Sequence, residues 1–203
     1  MISLKNNFLF VHIPETAGNS VQNILRTYSE DRVVCLHPFQ DGFERFGVIS
    51  ERFKTQKHSI LKDYQTALDK ELFDKLFKFT IVRNPWDRMI SFYFSPHQGV
   101  VTWNRDQFKR LIFEVEPVTS FLSLEPSEDD TLTSFRNIDY FIRYENINED
   151  FRKVCDLVGI PWETLPTRNK SQRKSYEQYY DDELIELVQN KFSKEIEYFN
   201  YEY

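Results

Sequence analysis

Apolar residues along this chain fall into short continuous runs that alternate with stretches of helical spacing. Phe8 to Ile13 reads as a buried strand, and from Ser20 onward Val21, Ile24, Leu25 and Tyr28 recur at i, i+3, i+4 and i+7, one face of a helix. Between them, PETAGNS turns the chain tightly from the first element into the second. A further strand is predicted over Arg32 to His37 from its β-branched apolar content, ended by His37-Pro38, whereas Phe39 to Phe53 has no clean period. Helical spacing returns over Ile60 to Leu68 and Asp69 to Leu76 as two short helices.

The strongest strand signal is Phe77 to Val82, FKFTIV. Asn84 can cap the next helix and Pro85 takes its first turn, where a missing N–H costs nothing, so NPWDRMISFYFS opens a helix at once. Ser95 to Val101 reads as an exposed loop, Arg105 to Val115 as an amphipathic helix, and EPSEDDTL as an acidic surface loop. Asp139 to Asn146 is a predicted strand, Asn148 to Val158 a helix closed by Gly159, and Asp181 to Tyr198 a last helix. Strands alternating with helices predict an α/β fold with a mainly parallel sheet. There is no internal repeat and no low-complexity segment.

At 203 residues the chain is expected to form one domain, 1–203, with a core rich in its 19 Phe and 11 Tyr. A formal net charge of −6 argues against a broadly basic nucleic-acid-binding surface and leaves room for a local basic pocket. Cys35 and Cys155 show no CxxC or zinc-ligand spacing, so they are read as buried thiols in a reducing compartment, with no metal site. The N-terminal apolar run is ended too early by Pro14 to be a signal peptide, and no run approaches the ~18 apolar residues of a spanning helix. A soluble, cytoplasmic protein is the expectation.

In sheets of this kind ligands bind beyond the C-terminal ends of the strands. Three loops are predicted there: His12 to Ser20, Arg83 to Trp86, and the turn after Ile142-Arg143. The first offers the N–H groups of Thr16 to Ser20, two hydroxyls and a helix N-terminus, all suited to an anionic oxygen cluster. It is not GxxxxGK[ST], and taken alone it reads equally as a plain turn in which Gly18 relieves a backbone constraint. In the second loop Arg83 stands at a strand end with Ser91 two helical turns later, so a guanidinium and a hydroxyl can converge on a second phosphate. The competing reading pairs Arg83 with Asp87 and leaves Ser91 facing solvent.

Together HIPETAGNS, FTIVRNPWDRMISFYF, FIRYEN and the C-terminal YYDDELIELVQNKFSKEIEYFNY resemble the carbohydrate sulfotransferases that use 3′-phosphoadenosine 5′-phosphosulfate (PAPS). The resemblance implies a P-loop-like three-layer fold without triphosphatase chemistry. It makes Pro14, Thr16, Ala17, Gly18, Asn19 and Ser20 the 5′-phosphosulfate loop, and gives Arg83 and Ser91 the 3′-phosphate. Lys170, Ser171 and Arg173 match a segment that covers the nucleotide, while Trp86 and Arg88 are assigned to helix packing and local ion pairing. The acceptor it implies is a hydroxyl on a saccharide or glycoconjugate, and no metal is required.

Sulfuryl transfer needs positioning, donors aimed at the leaving phosphate, and a base for the acceptor hydroxyl. His58 is the chosen base, since an imidazole titrates near working pH; the competing reading has it merely preceding a helix cap at Ser59. His12 is read as a structural hydrogen bonder, with His37 and His97 held in reserve. Arg143 either approaches the donor or pairs with Glu145 or Asp139.

Glu15 departs from the family pattern, which carries Lys at this position of the cradle. A carboxylate there repels the donor. Either Glu15 points away and Lys57, Arg26 or another cation fills the gap, or the chain is a donor-binding relative with impaired transfer, or the residue is an inactivating change. A small-molecule or nucleotide kinase and a non-catalytic nucleotide- or polyanion-binding module are the alternatives from other classes. Acceptor-facing loops at Phe39 to Phe53 and Ser95 to Asn104 carry no readable code, although Trp103 could stack on a sugar.

Overall fold

The computed structural model describes residues 1–37, 45–95, 98–124, 131–167 and 173–203, with backbone alone at 35–37, 45–46 and 131–132. In chain order it begins with β1 (Ile2–Ser3), β2 (Phe8–Val11), α1 (Gly18–Leu25), β3 (Arg32–His37) and β4 (Arg45–Ile49). Two short helices, α2 (Leu61–Ala67) and α3 (Lys70–Lys75), lead into β5 (Phe77–Val82) and α4 (Pro85–Tyr93). Then come α5 (Arg105–Glu114), α6 (Val118–Leu122), α7 (Thr131–Arg136) and β6 (Tyr140–Arg143). The chain ends with α8 (Ile147–Val158), α9 (Asp182–Lys191) and α10 (Ser193–Phe199).

The central sheet has the order β1-β2-β5-β6. Strands β2, β5 and β6 are parallel, with Val11 opposite Thr80 and Val82 opposite Arg143, and β1 is antiparallel at the edge. All of β2 is buried, which is why its sequence is a continuous apolar run instead of an alternation. Phe8, Phe10, Phe79 and Ile81 pack on one face against Val21 and Leu25 of α1 and Phe151 and Val154 of α8. Leu9, Val11 and Val82 face the other way, against residues that include Leu61, Phe73, Leu122, Phe135 and Phe199. Helices therefore cover both faces of a mainly parallel sheet, and the molecule is a three-layer, P-loop-like α/β fold. A third apolar cluster joins α4, α5 and α9 through Trp86, Phe108, Leu184 and Phe192.

Several local readings hold. The Asn84 side chain accepts from the Trp86 N–H at 3.0 Å with Pro85 next to it, and Gly159 closes α8 with φ of 69°. Others change. The strand at Arg32–His37 does not enter the central sheet: it pairs with β4 in a separate antiparallel hairpin. Strand β4 was hidden by Gly47, which interrupts its apolar run, and β1 is too short to display a period. The last predicted helix is two. Phe192 leaves helical geometry at φ −112° and ψ 23° while burying its ring, so the apolar period continues across a bend. Among the described residues no helix is long and apolar enough to cross a membrane.

Candidate functional site

Because β2, β5 and β6 are adjacent and parallel, the segments leaving their C-terminal ends open at one edge of the sheet. A cleft of about 710 Å³ lies there, lined by His12 and Ala17 to Ser20 beyond β2, by Arg83 and Asp87 beyond β5, and by Tyr144 beyond β6. The N-cap of α1 is Ala17, with no side-chain cap and no acidic residue in the first turn. The Ser20 N–H bonds the Ala17 carbonyl at 3.0 Å, and the N–H groups of Gly18 and Asn19 with the positive end of the dipole are left to the cleft.

The loop before α1 is held from behind. Thr16 donates its hydroxyl to the Ile13 carbonyl at 2.8 Å, Arg88 Nε donates to the Pro14 carbonyl at 3.2 Å, and Arg83 Nη1 to the Glu15 carbonyl at 3.1 Å. Three successive carbonyls are tied into the protein. Pro14 and Thr16, expected among the ligand contacts, do not line the cleft: Thr16 is fully buried and its hydroxyl is spent on the loop. Arg88 does more than pack a helix, since its buried guanidinium also donates to the Glu116 carbonyl at 3.3 Å.

Glu15 and Ala17 adopt φ of 63° and 70°, left-handed conformations that cost roughly 1–2 kcal/mol each for residues with a Cβ. Gly18 is required for another reason. A Cβ on it would lie 2.1 Å from Cδ2 of His12, so glycine is what admits the imidazole beneath the loop. His12 itself is buried and its pKa is held well below 6.5, chiefly by burial and further by the nearby His58 and Lys57, leaving it neutral.

Arg83 pairs with Asp87, as one of the two sequence readings has it, and lines the cleft. Its Nε and Nη2 each lie 2.7 Å from Asp87 Oδ2, and its guanidinium stacks 3.8 Å from the Tyr144 ring centroid, at the wall of the cleft. Arg173 Nη2 meets the other oxygen of Asp87 at 2.5 Å and lines the same cleft. Ser91 does not face solvent: it donates to Glu15 Oε2 at 2.7 Å, and Ser95 donates to Oε1 at 2.9 Å. Lys170 and Ser171 lie outside the described residues. So do His97 and the side chain of His37.

His58 is not in this cleft. It lines a neighbouring one of about 790 Å³ formed by residues 52–59, 63, 66 and 67. Its Nδ1 lies 3.1 Å from the His12 carbonyl, and since a carbonyl can only accept, Nδ1 carries a proton. The His12 and His58 rings are 4.7 Å apart, and Lys57 Nζ reaches Asn19 Oδ1 at 2.5 Å. The partition between the two clefts is these side chains.

Arg143 belongs to neither: it donates to the Phe199 carbonyl at 2.6 Å and pairs with neither Glu145 nor Asp139. Arg26 is exposed at the far end of α1. Trp86 anchors α4 through an Nε1 bond to the Ile185 carbonyl at 3.2 Å, and Trp103 packs among Tyr93, Phe94, Phe108 and Tyr179. Burial pushes the Cys155 thiol up to about 11, which keeps it unreactive.

Sequence reasoning missed Ser95, Tyr144, Lys174 and Tyr176, and treated Asp87 only as a rival partner for Arg83. Ser95 was within reach, standing one helical turn beyond Ser91. The others depend on how β6 and the C-terminal segment fold back, which no local pattern announces. Among the described residues no group of three or more His, Cys, Asp or Glu is placed to hold a metal ion.

No curated protein and no solved structure matches this chain. A family model, described as the sulfotransferase family, matches residues 1–105, just over half of the chain and the half that carries the amide-lined loop, Arg83 and Ser91. On that match, and with the site standing where the matched residues converge, the chain belongs to the sulfotransferase family.

Proposed function

We propose that this protein transfers a sulfuryl group from PAPS to a hydroxyl of a saccharide or glycoconjugate. The observation that carries the reading is the presence, in one cleft, of the uncapped N-terminus of α1 and of Arg83 with Ser91, two anion-binding groups for a donor with two anionic ends. Ala17 to Ser20 receive the 5′-phosphosulfate, and Pro14 and Thr16 hold the loop in shape. Arg83 receives the 3′-phosphate, Ser91 turns its hydroxyl from Glu15 to the same phosphate, and Arg173, with Lys170 and Ser171, covers the nucleotide. Lys57 supplies the cation that position 15 lacks, through its contact with Asn19.

In the transfer, the acceptor oxygen forms a bond to sulfur as the bond from sulfur to the bridging phosphate oxygen breaks. The acceptor proton passes to Nε2 of His58, and 3′-phosphoadenosine 5′-phosphate (PAP) leaves with the electron pair of the broken bond. Lys57 and the α1 amides meet the charge that gathers on that leaving oxygen.

Calorimetric titration tests the donor assignment. PAP is expected to bind at least tenfold more tightly than ADP or ATP, and Arg83→Ala to remove that preference. Equal affinity for PAP and ADP, or an unchanged preference in Arg83→Ala, would defeat the reading. PAP binding without transfer of label from PAPS to any hydroxyl would instead favour the catalytically silent relative that Glu15 suggests.

A further inference from the structure

We infer that Gln22 is a positioning residue of the donor site: its buried amide fixes the His12 imidazole so that Nε2 offers an N–H to the 5′-phosphosulfate from beneath the cradle. The inference rests on the donor assignment above and adds a residue outside the loop itself. Gln22 stands one helical turn after Gly18 on α1, so the two share a face of the helix. That face receives the His12 ring. A Cβ on Gly18 would lie 2.1 Å from Cδ2 and 2.2 Å from Nε2, so the Cδ2–Nε2 edge is turned to the first turn of α1, where the Gly18 and Asn19 N–H groups open to the cleft. Nδ1 lies across the ring from that edge.

Packing holds the plane of this ring but does not distinguish its nitrogens from its carbons. The Phe10 ring centroid lies 5.7 Å away at an interplanar angle of 25° and the His58 centroid 4.7 Å away, contacts that a half-turn of the imidazole leaves nearly unchanged. A hydrogen bond has to decide. His12 Nδ1 and both amide atoms of Gln22 are buried with no hydrogen-bond partner among the described residues, on a helix whose neighbouring positions Val21, Ile24 and Leu25 are apolar. His58, Lys57 and the Met1 ammonium disfavour protonation of the ring, and the Gln22 amide acts in the opposite sense, which places it against the imidazole. An amide can donate or accept, whereas a neutral imidazole carries one N–H. When the amide donates to Nδ1, the proton stands on Nε2 and faces the anion; when it accepts, Nε2 turns a lone pair toward the anion, which is repulsive. The bound donor therefore selects the first arrangement. The α1 amides gain a third, uncharged partner without the cost of burying a charge.

The test uses the full chain with ¹⁵N-labelled histidine, saturated with PAP at neutral pH, where the ring nitrogen shifts report which atom carries the proton. His12 of the parent is expected to be neutral with its proton on Nε2. Gln22→Met fills the same space without a polar group, so thermal stability should hold or rise while the tautomer becomes mixed and PAP affinity falls about tenfold. His12→Phe should lose at least as much affinity, and adding Gln22→Met to it should lose no more, because Gln22 acts through the ring. A proton on Nδ1 in the PAP complex, an unchanged tautomer and affinity in Gln22→Met, or losses that simply add in the double variant would overturn the inference. The preference for PAP over ADP, measured on the parent, reports separately on the donor assignment, so each claim can fail without the other.

Discussion

Ser91 donates its hydroxyl to one carboxylate oxygen of Glu15 at 2.7 Å, and Ser95, one helical turn on, donates to the other at 2.9 Å. The acidic side chain is thereby drawn toward α4, while Lys57 reaches the opposite side of the cradle at Asn19. Of the explanations for an acid at this position, a Glu15 turned aside with a cation supplied from elsewhere agrees best with these contacts. Its charge still borders the cleft. Glu15→Gln keeps an acceptor for the serines and removes the repulsion, so PAP affinity is expected to rise about tenfold, or about 1.4 kcal/mol. Calorimetry on the variant checks this; weaker binding would mean that the carboxylate assists the ligand.

Lys57→Met removes the proposed substitute cation. Transfer from labelled PAPS is expected to fall roughly 10²-fold, the scale of losing one aimed donor to a leaving oxygen, while PAP affinity drops less than tenfold. An equal loss in binding and turnover would make Lys57 a ground-state contact only.

Gly18→Ala forces a methyl group against the buried ring of His12, 2.1 Å from Cδ2 before any relaxation. Overpacking of this kind costs about 1–3 kcal/mol, and PAP affinity should fall with it because the loop is displaced. Adding His12→Ala makes room and should recover much of the stability. Denaturant unfolding of the two single variants and the double variant gives the coupling; strict additivity would show that the ring is not what the glycine accommodates.

Glu195 of α10 is buried, and burial pushes its carboxyl from 4.5 up to about 7 despite the charge of Arg88. The native state then keeps a proton that the unfolded chain releases. Its contribution is greatest at the acid end of that window and is lost as pH rises through about 7, by up to ~3 kcal/mol. His12 acts in the opposite sense, since its lowered pKa costs stability as pH falls below 6.5. Comparing Glu195→Gln with the parent isolates the first effect. The variant should melt higher than the parent at pH 8 and alike at pH 4.5, and equal melting at both would show that Glu195 ionises without penalty.

The parts of this molecule visible in its sequence are those fixed by local chemistry. PETAGNS between an apolar run and a helical period, and Asn84-Pro85 at a helix start, each encode their own geometry, and the structure keeps both. So is the i,i+4 relation of Arg83 and Asp87. What stayed hidden is relational. Nothing around Arg173 tells that it returns to the far oxygen of Asp87, and nothing in FIRYEN places the Tyr144 ring under Arg83. The Thr16 hydroxyl satisfies a carbonyl three residues back, a choice that pattern alone does not distinguish from a ligand contact.

Arg88 reaches in two directions, to the Pro14 carbonyl in the cradle and to the Glu116 carbonyl beyond the stretch that carries the family signature. Trp86 and Tyr180 add cross-links of the same kind, and β5 has β6 as its neighbour. The stretch matched by the family model is thus tied to the rest of the chain by these bonds and by the edge that β5 shares with β6: severed after residue 105, it would carry a stranded guanidinium and an open sheet edge.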